Sequence, residues 1–297
     1  MRDFSAADSL DSFMQQRPFF LAFLLPALLT AGLFLVALAF VLQYSLHAFI
    51  PGSLEVGGFT LDNFARVWRP IYLWVLLDTL SISLVTALAT LVLSYPVAYA
   101  LVRTRRNSVR TLLIVLAITP LFTGEIVRTY AWILMLGSDG FLNSVLEGLG
   151  LISTPIALLY TRLGVTVALV QFSMPVMIIL LATAIAHVDA DCERAAANLG
   201  ARPTTVFWRV TLPLTMPGIV SGTVVIFAWT MSAFSTPQLI GGGKVLMISN
   251  LVYLQGLSSF NFPFAAVLSL VALVLALGAL ALIRPATRRL EAEVAPA

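Results

Sequence analysis

Six stretches of this chain are each long and apolar enough to cross a lipid bilayer, and nothing else in the sequence constrains the fold as strongly. They run Phe19–Leu46, Trp74–Val102, Leu112–Leu136, Ile156–Ala186, Met216–Ile240 and Phe262–Ile283. Each meets the roughly 20 residues that a helix needs to span the hydrocarbon core. Water is absent there, so only helices or a closed barrel can satisfy the backbone. Barrel strands would read as short alternating runs, and the runs here are continuous. The expected fold class is therefore an all-α integral membrane protein with six transmembrane helices. Of the 297 residues 60% are hydrophobic and only 10% charged, against about a quarter charged in soluble domains. That balance excludes an ordinary globular enzyme.

Residues 1–18 form a polar N-terminal segment without the basic start of a secretory signal, and the run after it is too long for a signal core. The sequence thus divides into that segment, a membrane domain over 19–283 and a polar tail over 284–297. Sidedness follows from the arginines. With both termini inside, twelve fall on the cytoplasmic side: Arg2, Arg17, Arg103, Arg105, Arg106, Arg110, Arg194, Arg202, Arg209, Arg284, Arg288 and Arg289. Outside lie Arg66, Arg69, Arg162 and Lys244, with Arg128 inside a span. The single cysteine, Cys192, permits no internal disulfide, and His47 and His187 are too far apart to suggest a metal site.

Between the fourth and fifth spans lies a charged segment with helical character, within a loop of about 187–215. It reads "ERAAANLGARPTTVFWRVTLPL", Glu193 to Leu214. Ala195–Leu199 favour helix, Gly200 suits the left-handed residue that ends one, and Pro203 suits the first position of the next. Val206, Phe207 and Val210 share one side of that second helix, with Arg202 and Arg209 on the other. Leu212-Pro213 and Pro217 are expected to stop it before the fifth span. The pattern alone fits either a surface anchor or a helix that docks on a cytoplasmic partner.

The segment resembles the EAA signature of permease subunits of binding-protein-dependent ABC importers. Ala195, Ala196, Gly200, Val210, Leu212 and Pro213 fall on the signature at its spacing, while its glutamate falls on Arg194, with Glu193 one residue earlier. "FTLDNFARVW", "RTYAWILML", "GFLNSVLEGLGL", "FSTPQLIGGGK" and "NFPFAAVLSLV" are similar to the spermidine/putrescine branch of these permeases. The resemblance implies a type I-like importer fold and a loop that couples transport to ATP hydrolysis on a separate chain. It implies as partners a second permease subunit, a cytoplasmic ATPase dimer and an extracytoplasmic solute-binding protein. The coupling residues would be Glu193, Ala195, Ala196, Gly200, Arg202, Val206, Phe207, Val210, Leu212 and Pro213. The location would be the bacterial inner membrane, and no cofactor, metal or nucleic acid is implied.

Other motifs carry less. "GGGK" at Gly241–Lys244 lacks the first glycine and the Ser/Thr of a phosphate loop and reads as an external turn. "GIVSG" at Gly218–Gly222 offers a serine with no histidine in any span to activate it, so its small residues point to close helix packing. Glu125 and Arg128 are ionisable residues within the third span, which marks a functional candidate. On one continuous helix from Leu112 they sit roughly 20 Å and 24 Å from the inner face, at about 1.5 Å per residue. Their spacing permits mutual neutralisation, and Arg128 is also near enough to the outer face to snorkel. Asp78, Tyr130, Trp132, Trp229 and Phe234 lie in outer halves of spans, where acids and aromatic faces suit a passing polycation and interfacial belts also place aromatics. Within the resemblance, an importer permease for another small solute is the alternative to a polyamine importer, and from a different class an ion-coupled secondary transporter is the rival reading. It is disfavoured by the lack of an internal repeat and by a single central acid, Glu125.

Overall fold

The structure, a computed structural model, describes residues 6–53 and 55–294. Arg2 of the charge tally lies outside these residues, as do the side chains of Arg17, Arg284, Arg288 and Arg289. The described residues of the six expected spans are mostly helical, with non-helical stretches at 123–124, 156–161 and 232–234. α1 (Ala6–Ser45) leads into a short antiparallel hairpin, β1 (His47–Phe49) with β2 (Val56–Phe59), and then α2 (Asp62–Val67) and α3 (Pro70–Arg103). α4 (Asn107–Ile118), α5 (Glu125–Leu136) and α6 (Phe141–Gly148) follow, then α7 (Arg162–Ala186), α8 (Ala190–Asn198) and α9 (Pro203–Val206). α10 (Leu212–Met231), α11 (Ser235–Ile240), α12 (Ile248–Tyr253) and α13 (Phe262–Val294) complete it. Helix thus reaches into both the 1–18 segment and the 284–297 tail. The hairpin was not expected from the sequence.

Among the described residues five helices are individually long and apolar enough to cross a membrane, and a bent pair makes a sixth crossing if it counts as one span. The continuous third span expected over Leu112–Leu136 is therefore corrected. The helix tightens into a 3-10 turn at Thr119–Phe122, the chain breaks at Thr123 and Gly124, and the segments Asn107–Phe122 and Glu125–Gly148 meet at 105°. Pro120 sits in the first turn of that 3-10 segment, and Gly124 is extended ahead of α5. Proline lacks the N–H that would continue the α4 ladder, which tightens the run there, and extended Thr123 and Gly124 then set the new direction of α5.

α3, α7 and α10 form the centre. Ala87, Ala98, Met177, Leu181, Ile185 and Ile226 are buried between them. Ser83, Thr86, Thr90 and Ser94 line one buried face of α3, small enough for a close approach of helices, as membrane bundles require. Across α7 and α10, a Cβ on Gly218 would overlap the Cβ of Ala184, and one on Gly222 would lie 3.0 Å from Met177 Sδ. Gly218–Gly222 is a packing motif, as read from the sequence.

The two ends differ in kind. One carries the α3–α4 and α7–α10 connections, with Arg103, Arg105, Arg106, Arg110, Arg194, Arg202 and Arg209. The other carries the hairpin, α6, α11 and α12, with Arg66, Arg69, Arg162 and Lys244. Irregular backbone at this second end is satisfied by buried asparagines. Asn63 Nδ2 donates to His47 O at 2.8 Å, and Asn143 bridges Gly137 and Ile156. Asn250 accepts from Met247 N and donates to Gln238 Oε1 at 2.9 Å. Gly241–Lys244 is a turn there, with Gly242 and Gly243 at positive φ and Tyr160 packed beneath it.

Gly218→Ala should lower thermal stability of the solubilised protein by about 1–3 kcal/mol, the usual cost of overpacking. Ala184→Gly, which removes the opposing methyl, should recover more than half of that loss in the double variant. An unchanged melting profile for Gly218→Ala alone would contradict the close approach of α7 and α10.

Candidate functional site

The loop after α7 is built by local rules and then tied down at one point. Asp189 caps α8, its side chain accepting from Asp191 N at 2.9 Å. At the other end Gly200 has φ +85°, with Gly200 N donating to Ala197 O and Ala201 N to Ala196 O. This is the paired closure that ends a helix on a left-handed glycine. Arg202 is extended, Pro203 opens α9, and Val206 N donates to Arg202 O at 3.0 Å. The helix–glycine–helix reading of the stretch holds to this point.

The expected stop does not. α9 continues through a wide turn, Phe207–Thr211, directly into α10, so Pro203–Met231 is one 29-residue run. In that turn Leu212 N–H reaches back five residues to Phe207 O. Pro213 would normally crowd the carbonyl four residues before it, that of Arg209. Here that carbonyl lies in the widened turn, the usual place where a helix absorbs an insertion. Pro217 lies inside α10 without ending it.

Glu193 faces inward. Its Oε1 accepts from Arg103 Nη2 at 3.0 Å and from Thr211 Oγ1 at 2.8 Å, and Arg103 Nη2 also donates to Val188 O at 3.1 Å. One carboxylate therefore joins α8, the end of α3 and the start of α10. Arg194, on the signature's glutamate position, points away and pairs with Asp191 at 2.6 Å. Val206 is 8% exposed, and Phe207 packs edge-on against Tyr95 and Tyr99, with centroids 5.6 and 6.0 Å away. The expectation that Val206 and Phe207 present themselves to a partner is corrected, because both hold the loop onto the bundle. Ala196, Val210 and Leu212 are half-buried, while Ala195, Gly200, Arg202 and Pro213 are exposed. The apex is Leu199, 89% exposed, which the sequence reading passed over. A leucine next to a helix-ending glycine, with no apolar partner in register, was the available signal.

The residues expected to line a substrate path divide. Asp78 pairs with Arg162 at 2.8 Å, and Trp132 Nε1 donates to Gln171 Oε1 at 3.2 Å. Phe234 stacks on Tyr253 and Tyr130 is exposed on α5. Glu125 and Trp229 instead share one cavity of roughly 50 Å³ with Arg128, Phe172, Ser173 and Thr236. Glu125 and Arg128 form no ion pair among the described residues, and Arg128 does not snorkel outward. Its guanidinium lies over the Phe172 ring, 4.0 Å from the centroid. Phe172 was not foreseen, since no periodicity in α7 predicts which residue meets a helix displaced by the 105° bend.

Comparison with known proteins agrees with this geometry. Residues 90–291 match the family model described as binding-protein-dependent transport system inner membrane component. The spermidine/putrescine transport system permease protein PotB of Escherichia coli (strain K12) is 39% identical over 212 residues, covering 71% of this chain and 77% of that protein. The protein of the same name from Salmonella typhimurium (strain LT2) is 38% identical over 225 residues, covering 76% and 78%. Among solved structures, a bacterial ABC transporter involved in import of the acidic polysaccharide alginate superposes with TM-score 0.78. It is 18% identical and covers 95% of this chain and 99% of that one, a likeness of fold.

Removing the Glu193 charge leaves Arg103 uncompensated in a setting where both side chains are at most one-fifth exposed. Glu193→Met should therefore loosen α8 by about 1–3 kcal/mol, read as faster amide hydrogen exchange over 190–201. Replacing both Glu193 and Arg103 by methionine should restore much of the protection. Equal exchange in wild type and Glu193→Met would show that the junction does not hold the loop.

Proposed function

The chain belongs to the family of binding-protein-dependent transport system inner membrane components, and from that premise we propose that it is a permease subunit importing polyamines such as spermidine or putrescine. The observation that carries the substrate class is the identity to the two PotB proteins over about three quarters of the chain. The solute passes chemically unaltered, and ATP is hydrolysed on a separate cytoplasmic chain present as a dimer. A second permease subunit completes the pathway, and a solute-binding protein delivers the cargo. The family description, which names binding-protein dependence, supports that assembly. The protein lies in the bacterial inner membrane, and the arginine-rich end of the bundle supports a cytoplasmic position for that end and for both termini.

The geometry supplies a mechanism for coupling. Leu199, Gly200 and Arg202 form the exposed apex that enters a cleft on the ATPase. Next to it begins the Pro203–Met231 run, roughly 44 Å long at about 1.5 Å per residue. Its far end carries Trp229, at the cavity with Glu125. A helix without a hinge tilts as a rod, so displacement of the apex reaches the far end. Glu193 passes the same displacement to α3 through Arg103. Closure of the ATPase thereby rotates α3 and α10 together, a rigid-body transition.

Gly200→Val tests the apex, since φ +85° is strained for a β-branched residue while no atom lies within 4 Å of the added Cβ. The cost is about 1–3 kcal/mol of backbone strain, comparable with a coupling energy. Abundance should stay near wild type while ATPase copurification and radiolabelled spermidine uptake fall. Leu199→Ser should act similarly as loss of an interface anchor, and Arg202→Ala more mildly. Phe207→Ala should instead lower abundance, because its ring is packed inside. Undiminished uptake in both apex variants, measured in a strain lacking other polyamine systems, would remove the coupling role. No uptake by the wild-type importer would remove the polyamine.

A further inference from the structure

We propose that the cavity between α5, α7 and α10 binds the ammonium head of an alkylamine, and that Arg128 is its built-in competitor. This rests on the polyamine reading above. Glu125 and Arg128 lie three residues apart on one helix, a spacing at which opposite charges readily pair. They are not paired. No ion pair or hydrogen bond of the described residues reaches the Glu125 carboxylate, which is exposed at the first turn of α5. Arg128 Nε and Nη1 are buried with no acceptor, and the guanidinium is parked on Phe172.

Two opposite charges at membrane depth remain apart only if each has an alternative. The alternative for Arg128 is on the page: the Phe172 ring, a cation–π contact. The Glu125 carboxylate is exposed and has no such partner among the described residues, which leaves it open to an incoming cation. The cavity beside it has room for a few water-sized groups, each needing about 10–15 Å³. Its walls suit an ammonium, which has three donors and no acceptor. Glu125 supplies charge, Ser173 and Thr236 supply hydroxyl oxygens, and Trp229 supplies an aromatic face. A phosphate or carboxylate in the same place would meet Glu125.

The site then works by exchange between two positions of Arg128, the Phe172 ring where it lies here and the Glu125 carboxylate three residues away. On Glu125 it competes with an arriving ammonium. An ammonium that takes Glu125 leaves Arg128 on the Phe172 ring. Because the ammonium must displace an internal cation, binding is weak, as passage requires.

The test measures equilibrium binding of radiolabelled spermidine to the complete transporter in nanodiscs, without ATP or binding protein. Arg128→Gln should tighten binding roughly five- to tenfold, and Glu125→Gln should weaken it by about tenfold or more, the range of typical site coupling. In the Glu125→Gln background, Arg128→Gln should change nothing beyond about twofold. Phe172→Leu, which removes the resting place of the guanidinium, should weaken binding and serves if Arg128→Gln is not recovered. Weaker binding in Arg128→Gln, rescued by Arg128→Lys, would mean that Arg128 holds an anionic group, and would overturn the proposal. So would equal tightening with and without Glu125, or unchanged binding in Phe172→Leu. Uptake by the wild-type importer is measured first: its absence overturns the polyamine reading and this site with it. Uptake with equal binding in every variant overturns the site alone.

Discussion

One carboxylate, Glu193, joins three segments that otherwise only approach one another: α8, the end of α3 and the start of α10. Its energetic role follows from where it sits. Arg103 and Glu193 are 20% and 14% exposed at the side chain, shielded enough that water does not cancel their attraction and open enough that desolvation does not consume it. Thr211 adds a second donor, Arg103 Nη2 also reaches Val188 O, and Arg103 Nε is buried without a partner. Around this junction Phe207 fits edge-on to two tyrosines, and Tyr95 Oη lies 2.8 Å from Thr215 Oγ1. Aromatic packing and a polar clasp thus support the same joint.

What the joint makes possible is transmission. A surface loop hinged at both ends would absorb any displacement of its apex. Here the hinge exists only at Gly200, where the left-handed residue sets a fixed angle between α8 and α9. Beyond it the backbone is helical without interruption to Met231. The wide turn at Phe207–Thr211 lets Pro213 be accommodated without a break in that run. Pro120 is also carried within a helical run, in the 3-10 turn Thr119–Phe122, and the chain changes direction just after it, at Thr123 and Gly124.

Polar groups inside the bundle are used sparingly and at different costs. The hydroxyls of Ser83, Thr86, Thr90 and Ser94 are buried without partners, yet their small size lets α3 and α7 come close and gain dispersion over a long contact. Arg128 has no such excuse of size. Its burial without an acceptor asks for a partner that comes and goes, which is why the cavity beside it is read as part of the path.

The sequence by itself determined the class of fold, the six crossings, the division of arginines between two ends, and the helix–glycine–helix form of the loop. Each of these depends on local composition or on spacing along one helix: apolar length, a residue able to take positive φ, a proline suited to a first turn. Gly200 and Pro203 were legible for that reason, and so was the packing role of Gly218–Gly222. Only the tertiary structure decided that Val206, Phe207 and Glu193 turn inward, that Asp78 is taken up by Arg162, and that Glu125 and Arg128 stand apart. Those outcomes depend on which helix lies opposite, and helix faces meet according to crossing geometry that leaves no mark in either sequence segment alone. Proline was the sharpest case. Pro120 and Pro213 both lack the N–H that a helix needs, yet each lies within a helical run, and the bend near Pro120 falls at the extended Thr123 and Gly124 beyond it.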